Sequence, residues 1–124
     1  MNRGILWLES STFQSPVDLK YNKAKHYHVT LMYNVKLEHV EYLVGNSIQC
    51  VAVENCWNDD IQALRIKFAD RNVLELCTNK VPHMTLSHRD GVSPVKSNDM
   101  FANLYNKESI YHVMNLNINF HQFN

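Results

Sequence analysis

The stretch KHYHVTLMY, residues 25–33, sets the reading of the whole chain. From Tyr27 on it is rich in aromatic and β-branched residues, which predicts a strand over 27–33. Side chains two apart on a strand share a face, so His28 and Thr30 stand together while Val29 and Leu31 turn the opposite way. The apolar pair must meet a core, and the histidine and threonine line the other surface. The chain has four threonines (Thr12, Thr30, Thr78, Thr85), and a second one stands in the same pattern. In VPHMTLSH, residues 81–88, His83, Thr85 and Leu86 repeat His28, Thr30 and Leu31.

Working outward, ILWLES (5–10) reads as a first strand, and residues 11–25 as a polar connection with a proline in it, free to order on substrate binding. In VKLEHVEYLVGN, Leu37, Val40, Leu43 and Val44 recur at helical spacing and Gly45-Asn46 ends the run, which predicts an amphipathic helix. SIQCVAVENCW and IQALRIKF read as a hairpin joined through Asn58-Asp59-Asp60. Asp70-Arg71-Asn72 gives a turn before VLELC. After the second motif come the loop RDGVSPVKSND, a short helix in MFANLYN capped by Ser97 or Asp99, and a closing strand in YHVMNLNINFHQF. This order predicts an α+β fold in a single domain spanning 1–124. The two HxT strands lie in different halves, each backed by the helix that follows it, and halves packed side by side would face both imidazoles into one cleft.

With 124 residues there is chain for one real core and little more. Twelve basic and 12 acidic residues leave no net charge, so no cationic field holds long nucleic acid, and duplex DNA is excluded as a partner. Three cysteines, Cys50, Cys56 and Cys77, are an odd number without CxxC spacing, which argues against a disulfide framework and for a reducing compartment. The N-terminal apolar run is too short for a signal peptide or a membrane span. The expectation is a cytoplasmic protein without membrane contact. Asparagine is abundant and scattered, a composition compatible with an AT-rich genome such as a virus's.

Two imidazoles facing one site can divide acid–base chemistry, one neutral and taking a proton, the other charged and donating one. A threonine hydroxyl beside each can hydrogen-bond a non-bridging phosphate oxygen. This set suits in-line cleavage of a phosphodiester with no metal and no cofactor, and makes His28, Thr30, His83 and Thr85 the catalytic candidates. At these residues the chain resembles the 2H phosphoesterases, which carry two H-x-T/S motifs. HVTL, VPHMTLSH and DGVSPVKSNDM together are most similar to the cyclic phosphodiesterase domain of fungal tRNA ligases and to small stand-alone viral or phage relatives. The resemblance implies a two-lobed α+β fold, with antiparallel sheets and the two HxT strands facing a central cleft. It also implies a phosphodiesterase opening 2′,3′-cyclic phosphates on RNA ends. Viral members imply an alternative, cleavage of small cyclic nucleotides that signal to host immunity. A third reading is a nucleotide- or RNA-binding module without turnover.

Other residues are candidates by placement. Leu64, Ile66 and Phe68 alternate with Arg65 and Lys67, so the two cations share a face opposite the core and can meet phosphate. Lys96 and Ser97 follow the second motif as rim candidates. Trp7 shares a strand face with Glu9 while Leu6 and Leu8 point the other way, which frees its indole to stack on a base; Trp57, beside the hairpin turn, is a weaker candidate. His26 and His28, with His83 or His88, are a conceivable zinc set, but no carboxylate adjoins them to orient the rings, and no metal site is assigned. His39, His112 and His121 lack a threonine partner and are expected to be surface or interface residues. Nothing in the sequence sets an oligomeric state.

Overall fold

The computed structural model describes residues 2–123. Its strands are β1 (Arg3–Glu9), β2 (Asn22–Lys23), β3 (His28–Lys36), β4 (Ser47–Trp57), β5 (Ile61–Phe68), β6 (His83–His88) and β7 (Asn106–Gln122). All pairings are antiparallel. Because β6 pairs with both β3 and β5, the order β6-β3-β1-β7-β4-β5 closes on itself as a six-stranded barrel, and β2 is a two-residue addition to β6.

The barrel corrects the expected two-lobed α+β fold. Strands make up 49% of the described residues and helices 16%, too little helix to cover two sheets. The helical repeat of 37–44 condenses into one turn, α1 (Leu37–Val40), and a 3-10 turn at Glu41–Leu43. No side chain caps the start of α1, and a single turn repays little of its nucleation cost. Only Val40 of this segment is fully buried; Val44 is exposed. Val29 and Leu31 are instead covered by the inward side chains of other strands: Leu6 and Leu8, Cys50 and Ala52, Leu64 and Ile66, Met84 and Leu86, and Met114, Leu116 and Ile118. Closure buries every one of these half-apolar strands on one face and removes the open edges that two separate sheets would leave.

The predicted hairpin forms, with Asn58 Oδ1 accepting from the backbone N–H groups of Asp60 (2.9 Å) and Ile61 (3.0 Å). VLELC is largely helical: Asp70 Oδ1 accepts from the Asn72 N–H at 2.8 Å and caps α2 (Arg71–Leu76). The helix after the second motif, α3 (Lys96–Phe101), starts earlier than expected, so Ser97 and Asp99 lie inside it and neither caps it. α3 packs outside the barrel, where Met100 joins Cys56, Ile61 and Ala63 in a second small core.

The 11–25 connection is already tied down at one end of the barrel. Buried Gln62 fills all four of its hydrogen-bonding positions there. Its Oε1 accepts from the Lys20 N–H (3.0 Å) and Ser87 Oγ (2.7 Å), and its Nε2 donates to the Asp18 carbonyl (3.1 Å) and Asn55 Oδ1 (3.0 Å). β1 and β7 approach so closely at Gly4 that a Cβ there would run into the His121 carbonyl oxygen. The same register sets Asn119 across from Trp7 and His121 across from Ile5.

Candidate active site

Val29 of β3 lies across from Met84 of β6, and both side chains point into the barrel. Their neighbours therefore point out, and the two HxT pairs share the outer wall on adjoining, oppositely directed strands. The band continues on both sides. Arg65 of β5 pairs in register with His83 and Ala63 with Thr85, while on β1 Trp7 pairs with Thr30 and Glu9 with His28. Beyond β1, Asn119 of β7 is paired with Trp7 and His121 with Ile5.

Both nitrogens of His83 are engaged. Nδ1 donates to the Val81 carbonyl at 2.7 Å, which fixes the ring and makes Nε2 the nitrogen that gains or loses a proton. Nε2 meets Ser97 Oγ at 2.9 Å. Ser97 Oγ is also 3.0 Å from Thr85 Oγ1 and donates to the Pro94 carbonyl at 2.9 Å, so one buried hydroxyl joins both members of the second motif. Phe101 packs beside the imidazole, ring centres 5.1 Å apart. Burial pushes the His83 pKa below the ordinary histidine value, with the Val81 carbonyl resisting.

His28 is held differently. Its ring stacks on the Trp7 indole at 4.0 Å, and Trp7 also stacks with His121 at 4.5 Å. The indole Nε1 donates to Glu9 Oε2 at 2.7 Å, and Asn119 Nδ2 donates to the same oxygen at 3.1 Å. Nδ1 of His28 is buried and, among the described residues, has no hydrogen-bond partner. Burial first, then the neighbouring His26 imidazole, carry the pKa down to about 4, against weaker upward pulls from the His26 backbone and the Glu9 carboxylate.

The remaining candidates divide. Arg65 is beside His83 but shares its charge with Glu54 at 3.4 Å, and Glu54 is also 3.7 Å from Lys107. Lys67 lies further along β5, paired with Val51, and is exposed. Lys96 is ion-paired with Asp99 at 3.4 Å and lines a separate cavity of about 420 Å³ with Ser93 and Met100, which none of the HxT residues reaches. Trp7 is 5% exposed, so its face belongs to His28 and His121 and is not open to a base. Trp57 is covered by the Lys20 ammonium, 4.0 Å from its ring centre. Among the described residues no group of three or more His, Cys, Asp or Glu side chains is placed to hold a metal ion.

Glu9, Asn119 and His121 join the site without a motif to announce them, and Ser97, expected on the rim, is buried within it. Asn119 and His121 do alternate outward along the closing strand, but only the register between β7 and β1 brings them to Trp7. Among the described residues no helix is long and apolar enough to cross a membrane.

Two His-x-Thr pairs turned outward on adjoining strands accord with a 2H phosphoesterase-type domain. The chain belongs to the family described as the fungal tRNA ligase phosphodiesterase domain, whose model matches residues 20–123, from the end of the tied-down connection through β7. Membership carries phosphodiesterase activity in general, and a tRNA ligase domain implies RNA ends as the substrate class. No curated protein and no solved structure matches the chain.

Proposed function

We propose that this chain opens the 2′,3′-cyclic phosphate of an RNA end by metal-independent acid–base catalysis through His28, Thr30, His83 and Thr85. The observation that supports this most directly is the placement of the two pairs: outward, on adjoining strands, with Val29 opposite Met84 between them. Thr30 and Thr85 bind non-bridging oxygens of the phosphate, and Arg65 beside His83 adds positive charge that Glu54 only partly balances.

The two histidines take different parts. His28 has a buried nitrogen that, among the described residues, has no partner, an environment that disfavours a charged ring, so it rests neutral and serves as the base. It removes a proton from water as the water oxygen bonds to phosphorus. The bond from phosphorus to one ribose oxygen breaks, and that oxygen takes a proton from His83, which acts in its charged form although burial lowers the population of that form. The product is a phosphomonoester with a free neighbouring hydroxyl, and exchange with solvent returns both rings to their starting states.

Mass spectrometry on a mixed panel tests the reading. Nucleoside 2′,3′-cyclic phosphates and short RNAs with cyclic ends are expected to gain one water, with duplex DNA untouched. Linear products from cyclic di- or trinucleotides, with cyclic RNA ends ignored, would replace it with the signal-degrading alternative. Saturable nucleotide binding with no product from any member of the panel would leave a binding module.

A further inference from the structure

The Ser97 hydroxyl has one proton and two acceptors within reach. When His83 is neutral, Nδ1–H goes to the Val81 carbonyl and the Nε2 lone pair accepts from Ser97 Oγ. When His83 is charged, Nε2–H donates to Ser97 Oγ, and the hydroxyl proton turns to the Pro94 carbonyl 2.9 Å away. The Pro94 carbonyl also receives the Ser97 backbone N–H at 3.3 Å, so it keeps a partner in either state. Thr85 Oγ1, 3.0 Å away, can donate to Ser97 Oγ in either state of the free protein and turns its proton to the phosphate when substrate binds. One rotation about a single C–O bond thus satisfies every buried polar atom before and after His83 changes charge. Among the described residues His28 has no equivalent, and its buried Nδ1 is without a partner.

We infer that Ser97 is a positioning residue of the second motif, a two-position hydroxyl that keeps His83 Nε2 partnered in both protonation states and holds its proton ready for the leaving oxygen. The inference deepens the acid role given to His83 and rests on that reading. Among the described residues, the charged and titratable groups beside His83 are Arg65 on β5, with Glu54 behind it, and His28 on the adjoining β3; Lys96 and Asp99 of α3 are paired with each other at the separate cavity. A change at Ser97 alters none of these side chains, so a shift in His83 titration that Ser97→Thr reverses reports the hydroxyl.

A hydrogen bond to a charged donor is roughly twice as strong as a neutral one, so losing the hydroxyl costs the charged ring more than the neutral ring. Ser97→Ala is therefore expected to lower the His83 pKa by about one pH unit, read by NMR titration of the imidazole in the free protein. The descending limb of the kcat/KM profile on a 2′,3′-cyclic nucleotide should move by the same amount. Ser97→Thr keeps the hydroxyl and should restore both values. An unchanged His83 pKa in Ser97→Ala, or a Ser97→Thr protein that titrates like Ser97→Ala, overturns the inference. The titration is made without substrate, so absence of turnover in the wild-type protein would count against the acid role of His83 alone and leave the Ser97 result readable.

Discussion

The His28 imidazole lies against the Trp7 indole with ring centres 4.0 Å apart, although the two residues are 21 positions apart and on different strands. Trp7 in turn is stacked with His121 and hydrogen-bonded to Glu9. The tryptophan therefore acts on the site through His28, shielding it from water and keeping Glu9 turned toward the indole. Trp7→Ala should let water reach His28 and move the ascending limb of kcat/KM upward from about pH 4 toward the ordinary histidine value. It should also lower stability by roughly 3–5 kcal/mol, as loss of a buried large aromatic does. Trp7→Phe, which keeps a ring on His28, should leave the limb near its wild-type position; pH profiles and thermal melts of the two variants decide.

His28→Ala and His83→Ala should each reduce turnover by at least about a hundredfold with the fold retained, as expected when a general base or acid is removed. Thr30→Ala and Thr85→Ala should cost less, because each removes one of several contacts to the phosphate. Turnover assays paired with circular dichroism check this, and near-normal activity of a folded histidine variant would sink the mechanism.

Stability should fall on the acid side of neutrality. The folded protein holds His28 at about 4 whereas an unfolded histidine titrates near 6.5, so between these values the unfolded chain binds more protons. The contribution is fully present above pH 6.5 and is lost as the pH drops to about 4, roughly 3 kcal/mol over the window, with lowered His83 acting in the same direction. Urea melts from pH 7 to pH 4 measure it. His28→Phe retains the stack on Trp7 without a titrating nitrogen and should flatten the curve; an equally steep curve in that variant would assign the acid sensitivity elsewhere.

Excess EDTA should leave turnover unchanged, since two imidazoles and two hydroxyls supply the acid, the base and the contacts to the phosphate oxygens. Activity that vanished on chelation and returned with zinc would bring back a metal site built around His26 and His28.

Much of the site is legible in the order of residues alone. Strand periodicity places His28 with Thr30 and His83 with Thr85, each pair facing away from its apolar neighbours, and Val29, Leu31, Met84 and Leu86 are all fully buried as that periodicity requires. The hairpin through Asn58 is legible because an asparagine side chain can close a turn using only its immediate neighbours. Alternation along Met114, Leu116 and Ile118 likewise shows which face of β7 goes inward.

Long-range packing settled what alternation leaves open. A period of two states which face of a strand is apolar, but it does not state which strand lies beside it, because backbone hydrogen bonds are the same for every partner. The same faces therefore fit two helix-backed lobes or one closed barrel, and closure was chosen by contacts between residues far apart, with the segment at Leu37–Leu43 too short to cover a sheet. Pairing β6 with both β3 and β5 put the two motifs on adjoining strands and brought Arg65 to His83. Packing of α3 over β5 set Ser97 on His83 Nε2, and the β1–β7 register set His121 on Trp7. Residue order is enough to name the chemical groups and the face each occupies; burial, partnering and the resulting difference between the two histidines come from contacts distant in the chain, which no local spacing encodes.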